Sequence, residues 1–342
     1  MSALTLDIFW YIIVITALIF YTVLDGFDLG VGCLHLFTQE DRDRRVFLNS
    51  IGPVWDGNEV WLVIVGGALF AGFPNAFATI FSSFYVFAML LVFGLIFRAV
   101  SIEFRSKEPS HRWRRGWDIA FSLASILIAF GTGLVLGNLV QGIPLDSHQD
   151  FTGNFLNFVR PYPILFGIAT IALCSMHGAI YLSMKTEGAL HETLKRWVQR
   201  CIRIFLALFI LLTIATFYVA PYMATRLMAF PLLFVLPLAA LVLIFFIPKF
   251  IRQGKSGSAF LCSCGSIALF LTLFPIGTFP ILVRSSIDPS NFSVTIANSA
   301  SSPLTLKILA LMVFIGVPLV LLYGIYIYRV FRGKVRLDDH SY

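Results

Sequence analysis

The stretch Gly52-Pro-Val-Trp-Asp-Gly-Asn-Glu-Val-Trp61 decides how the chain is read, because it sets two carboxylates, Asp56 and Glu59, at the start of an otherwise apolar run. Pro53 suits the first turn of a helix, where its missing N–H would be unpaired in any case, and Gly52 can precede it. A helix starting at Pro53 and running through Leu62, Val65, Leu69 and Phe70 to Gly72 has about the 20 residues that cross a bilayer. The i,i+3 spacing puts Asp56 and Glu59 on one face of its first two turns. Asp25 and Asp28 repeat that spacing inside the first apolar run, so four acidic side chains lie where hydrocarbon normally excludes them.

Hydrophobic residues make up 58% of the 342 and charged residues only 13%, against about 25% charged in soluble proteins. With a mean hydropathy of +0.86, this predicts an all-α integral membrane protein, a single polytopic domain over 1–342. Apolar runs at about 8–37, 53–72, 77–100, 117–140, 164–184, 202–222, 228–247, 258–283 and 304–331 predict nine transmembrane helices. The formal charge of +7 is spread over the connections, which fits a membrane topology and excludes nucleic acid as a partner. No Lys or Arg precedes Arg42, so the basic region of a signal peptide is missing and the first span is expected to be retained.

The basic residues test the count. Twenty of the 25 Lys and Arg fall on the connections of one side, the other side holds Arg160, Arg226, Arg284 and Lys307, and Arg98 lies inside a span. By the positive-inside rule the N-terminus is outside and the C-terminus cytoplasmic. Most connections are short, so successive spans should form antiparallel helix bundles. Only 141–163 and 284–303 make long outer loops, and 223–227 is read as a short one.

This topology puts Asp25, about 26 Å along the first span from Ile8, and Asp28 in the cytoplasmic part of the membrane. Asp56, Glu59 and Arg98 reach a similar depth from the next two spans. Isolated ions there cost several kcal/mol each, so the groups must pair, bind protons or line water. One reading is a proton-uptake route with Asp25 and Asp56 as relay groups, Arg98 as partner and Asp28 and Glu59 in support. The other is a structural ion-pair knot that fixes helix packing. His35 and His177 lie inside spans and read as hydrogen-bonded packing residues rather than haem ligands, while His111, His148, His191 and His340 fall in loops or tail. The cysteines read as small buried hydrophobes; Cys262-Ser-Cys264 makes a poor metal site and no metal is expected. Asn138 and Gln141 could meet a polar ligand or cap their helix. Trp10, Trp55, Trp113, Trp117 and Trp197 read as interfacial anchors.

Four motifs in order, Asp25-Gly-Phe-Asp-Leu-Gly-Val-Gly32, Trp55-Asp-Gly-Asn-Glu-Val-Trp61, Phe97-Arg98 with Phe104-Arg-Ser-Lys107, and Gly137-Asn-Leu-Val-Gln-Gly142, resemble subunit II of the cytochrome bd quinol oxidases, including the cyanide-insensitive branch. The likeness covers essentially the whole chain. It implies a terminal oxidase of the bacterial cytoplasmic (inner) membrane that oxidises quinol and reduces dioxygen to water, drawing protons from the cytoplasm. It also implies two b-type haems and one d-type haem ligated by subunit I, which would be the partner of this chain in the lipid bilayer. A structural quinone in subunit II and a small accessory subunit occur in parts of the family. Carried onto this sequence, Asp56 and Trp55 match residues where protons enter, with Asp25 and Arg98 near the same path. The rival class is a proton-coupled secondary transporter using the same carboxylates.

Overall fold

The computed structural model describes residues 3–337, so His340 lies outside the described residues. The helices are α1 (Ala3–His35), α2 (Asp41–Ile51), α3 (Trp55–Gly72), α4 (Pro74–Ser83), α5 (Tyr85–Phe104), α6 (His111–Gln141), α7 (Pro161–Lys185), α8 (Gly188–Val219), α9 (Pro221–Ala229), α10 (Val235–Arg252), α11 (Ser256–Thr278), α12 (Ile296–Ser299) and α13 (Pro303–Val330). A two-stranded antiparallel ribbon pairs β1 (Ile281–Val283) with β2 (Val294–Thr295). Among the described residues, eight helices are long and apolar enough to cross a membrane, and the pair α2–α3, bent by 51°, makes a ninth if taken as one span. Helices suit such runs because they satisfy every main-chain polar group internally.

The element boundaries differ from those expected of the sequence where local chemistry intervenes. The helix expected to start at Pro53 starts at Trp55, because the Val54 N–H closes a tight turn onto the Ile51 carbonyl at 2.8 Å. Proline offers no N–H that could carry α2 straight through. The run 77–100 divides into α4 and α5 at Phe84, which is drawn into the core against Phe158 with ring centroids 4.7 Å apart. The connection read as a loop over 223–227 is helical, as part of α9. Helix α8 begins at Gly188, well before the expected 202, and the end of the run 258–283 is strand β1. Trp10 is not an interfacial anchor: it is buried, and its indole N–H donates to the Leu306 carbonyl at 3.0 Å.

Helix α1 is the central element, packed against α3, α6, α7, α11 and α13. Gly30 makes the α1–α7 crossing possible. A Cβ there would sit 1.8 Å from the Cys174 carbonyl oxygen and 2.8 Å from the Gly178 nitrogen, both of them main-chain atoms. Gly30→Ala is therefore expected to cost about 1–3 kcal/mol through overpacking, read as a lowered thermal midpoint of the detergent-solubilised protein. An unchanged midpoint would mean that the two helices do not meet so closely.

Two large apolar clusters dominate the interior. One, containing Phe27, Phe47, Tyr181 and Ile247, lies toward the end of the bundle that carries most of the basic residues. The other, containing Trp10, Phe73, Phe84 and Leu306, lies toward the long loops. Those loops are cross-tied: the Ile143 N–H donates to the Arg284 carbonyl at 3.0 Å and the Ser286 N–H to the Ile143 carbonyl at 2.8 Å. On α13 only Leu306 is buried, and Leu311, Phe314, Leu319 and Leu322 form an exposed apolar wall.

Candidate functional site

The buried acids of α1 meet one arginine. Asp25, Asp28 and Arg98 are fully buried, Asp25 and Asp28 one turn apart on α1 and Arg98 on α5. The Arg98 Nη2 donates to Asp25 Oδ1 at 2.6 Å and its Nε to Glu59 Oε1 at 3.1 Å, and Nη2 also contacts Glu59 Oε1. One planar guanidinium thus joins α1, α3 and α5, a use of its fork that a lysine could not reproduce. Asp28 is held differently: the Asn58 Nδ2 donates to its Oδ2 at 2.7 Å, and the Tyr328 hydroxyl of α13 donates to Asn58 Oδ1 at 2.9 Å. Asp25 Oδ2, Asp28 Oδ1, Arg98 Nη1 and the Tyr21 hydroxyl have no hydrogen-bond partner among the described residues. A cluster with one cation against three carboxyl groups and with open lone pairs can take up a proton or an internal water.

Asp56 does not join this cluster. It is exposed in the first turn of α3, one turn before Glu59, and Trp55 beside it is half-buried against the core. Arg98 therefore bridges Asp25 and Glu59, where the sequence reading pairs it with Asp25 and Asp56. The helix start sets this outcome, since the first turn of α3 remains at the rim while the second enters the bundle.

A second charged node escaped the sequence reading. Asp118 of α6 accepts from His35 Nε2 at 2.6 Å, from Arg105 Nε at 2.6 Å and from Arg44 Nη1 at 3.1 Å. Arg105 continues to Asp41 Oδ1 at 2.7 Å, and Arg114 reaches the other oxygen of Asp41 at 3.2 Å. An acid at the start of an apolar run is the signal that singled out Asp56, and Asp118 carries it too. Asn58 stood inside the quoted motif without a role, and Tyr328 is 270 residues away from it.

The histidines of the spans are bonded within the protein, His177 through both ring nitrogens and His35 through Nε2 alone. His177 Nε2 donates to the Val23 carbonyl at 2.9 Å, Nδ1 accepts from the Ser263 hydroxyl at 2.8 Å, and the ring stacks on Phe260. His35 is fully buried, with Asp118 on Nε2 and Phe121 against its ring. At the loop end the Asn138 carboxamide bonds to the protein: its Nδ2 donates to the Leu134 and Phe158 carbonyls at 2.9 Å, and its Oδ1 accepts from Arg160 at 3.0 Å. Burial holds the Arg160 guanidinium below the usual arginine range. Nearby, burial pushes the Tyr222 hydroxyl up to about 12, against the opposing charge of Arg284, whose guanidinium lies 4.0 Å from the Tyr222 ring centroid.

Comparison with known proteins places these features in a wider set. The family model described as cytochrome bd terminal oxidase subunit II matches residues 6–331. Subunit 2 of the cytochrome bd-I ubiquinol oxidase of Escherichia coli is 33% identical over 96% of this chain and 95% of its own length. Subunit 2 of the cytochrome bd ubiquinol oxidase of Bacillus subtilis is 31% identical over 95% of this chain and 96% of its own length. A chain of the bd oxidase from Geobacillus thermodenitrificans superposes with a TM-score of 0.78 at 16% identity, covering 96% of this chain and 98% of that one, and so shares its fold.

Proposed function

Because this chain belongs to the cytochrome bd terminal oxidase subunit II family, a multi-pass component of a quinol-oxidising complex in the bacterial inner membrane, we propose that its own part in the reaction is to admit protons past exposed Asp56 into the cluster of Glu59, Arg98, Asp25 and Asp28. The match over residues 6–331 favours an oxidase subunit over a proton-coupled secondary transporter. The complex uses haem and quinol, and the chain acts within it as part of an oxidoreductase. We assign the nine-span topology with the basic end in the cytoplasm, on the strength of the twenty basic residues that gather there.

The observation that carries the proton reading is an exposed carboxylate, Asp56, one helical turn from Glu59, which shares the Arg98 guanidinium with buried Asp25. Protons taken from the cytoplasmic side would pass to this cluster and on toward subunit I, where dioxygen is reduced to water. Trp55 flanks the first carboxylate. We place the two b-type haems and the d-type haem on subunit I, since the residues here do not fit them: both nitrogens of His177 are bonded within the chain, and His35 is enclosed beside Asp118. Haem would supply the electron transfer and oxygen chemistry there. A small accessory subunit is compatible with the exposed apolar wall of α13. An apolar cavity of about 600 Å³ lined by α1, α5, α6, α7, α8 and α11 suits the tail of a structural quinone, with the unpartnered Tyr21 hydroxyl on its wall as a donor for a ring carbonyl.

The test is Asp56→Asn, which keeps the shape and removes the titratable group. Quinol-driven oxygen consumption per haem is expected to fall about tenfold or more in a normally assembled complex. Wild-type turnover at equal haem content would overturn the assignment of Asp56.

A further inference from the structure

The acidic cluster is supported from a third direction that the proton route does not use. The Tyr328 hydroxyl on α13 donates to Asn58 Oδ1 at 2.9 Å, and Asn58 Nδ2 donates to Asp28 Oδ2 at 2.7 Å. A carboxamide has an acceptor end and a donor end. With the acceptor end taken by Tyr328, the donor end faces Asp28. One carboxyl oxygen of Asp28 is then occupied and the other, Oδ1, has no partner among the described residues. Asn58 is 2% exposed and Asp28 fully buried, so bulk water does not compete for these bonds.

The end of α13 that carries Tyr328 is itself tied down. Lys185, the last residue of α7, donates from Nζ to the Phe331 carbonyl at 2.7 Å, Val335 N–H donates to the Lys185 carbonyl at 2.9 Å, and Lys334 Nζ donates to the Thr186 carbonyl at 2.8 Å. This strap matters because α13 buries only Leu306 along its length. Beside the pair lies a cavity of about 40 Å³ lined by Gly57, Asn58, Trp61, Tyr323 and Tyr328 among others, enough for at least one water.

We propose that Tyr328, acting through the Asn58 carboxamide, is a positioning residue for Asp28, so that the strapped end of α13 sets which oxygen of that carboxyl group receives the proton. The proposal rests on the proton-uptake reading above. Without the Tyr328 hydroxyl the carboxamide is free to turn its oxygen toward Asp28.

The test uses the purified complex. The infrared carboxyl band that Asp28→Asn removes from redox difference spectra is followed in Tyr328→Phe, and oxygen consumption per haem is measured in both single variants and the double variant. Tyr328→Phe is expected to shift that band and to slow turnover about fivefold, the effect of one hydrogen bond, while adding nothing in the Asp28→Asn background. A merely structural tyrosine would instead cost the same in both backgrounds, which overturns the proposal, and the rate comparison decides even where the band is too weak to follow. A silent Tyr328→Phe beside a slow Asp56→Asn removes the Tyr328 arm and leaves the uptake reading standing. Wild-type rates in Asp56→Asn, Asp25→Asn and Asp28→Asn together would remove both.

Discussion

Arg98→Ala is expected to abolish recovery of the assembled complex. The side chain is fully buried and its guanidinium is the shared donor to Asp25, at 2.6 Å, and Glu59. Removing it leaves two carboxyl groups facing each other in the interior of a membrane protein, and breaking a buried pair in this way costs about 3–5 kcal/mol. That is a large share of the 5–15 kcal/mol that typically holds a domain together. The measurement is the yield of haem-bearing complex from membranes. Arg98→Lys should recover only part of it, since one ammonium group cannot reproduce the fork that spans α1 and α3. Combining Arg98→Ala with Asp25→Asn should also recover part, by removing a stranded charge. A normal yield from Arg98→Ala alone would show that the cluster does not depend on this pairing.

Asp118→Ala should destabilise the chain by a similar amount. Its carboxylate is the acceptor common to His35, Arg105 and Arg44 and is 1% exposed, so the substitution strands Arg105, which is equally buried, and cuts the tie between the ends of α1, α2, α5 and α6. The expected cost is again about 3–5 kcal/mol, seen as a lower thermal midpoint and faster aggregation in detergent. Asp118 stands apart from the Arg98 cluster, so the fraction that assembles should retain its turnover per haem. Asp118→Asn, which keeps an acceptor oxygen, should restore part of the midpoint. A wild-type midpoint in the alanine variant would mean that Asp41 alone suffices for the arginines.

The membrane class and the helical spans were legible in the sequence, because they follow from local composition and from a rise of about 1.5 Å per helical residue. Family membership was legible for the same reason: the motifs around Asp25, Trp55, Arg98 and Asn138 are contiguous in the chain. The breaks at Val54 and Phe84 were less so. Pro53 signals a boundary, but the turn onto Ile51 decides where the helix resumes, and Phe84 leaves the helical run where its ring packs against Phe158.

Partner choice belongs to the tertiary structure. Asp56 and Glu59 are nearly equivalent in sequence, yet only Glu59 reaches Arg98, since one helical turn separates the rim of the bundle from its interior. Asn58 meets Tyr328 across 270 residues, and Asp118 gathers three residues from the ends of α1, α2 and α5. By itself the sequence determined that charged groups would be buried among apolar helices and would have to pair. Packing decided which ones pair, because a hydrogen bond needs its atoms about 3 Å apart and only the crossing of α1 with its neighbours brings them there.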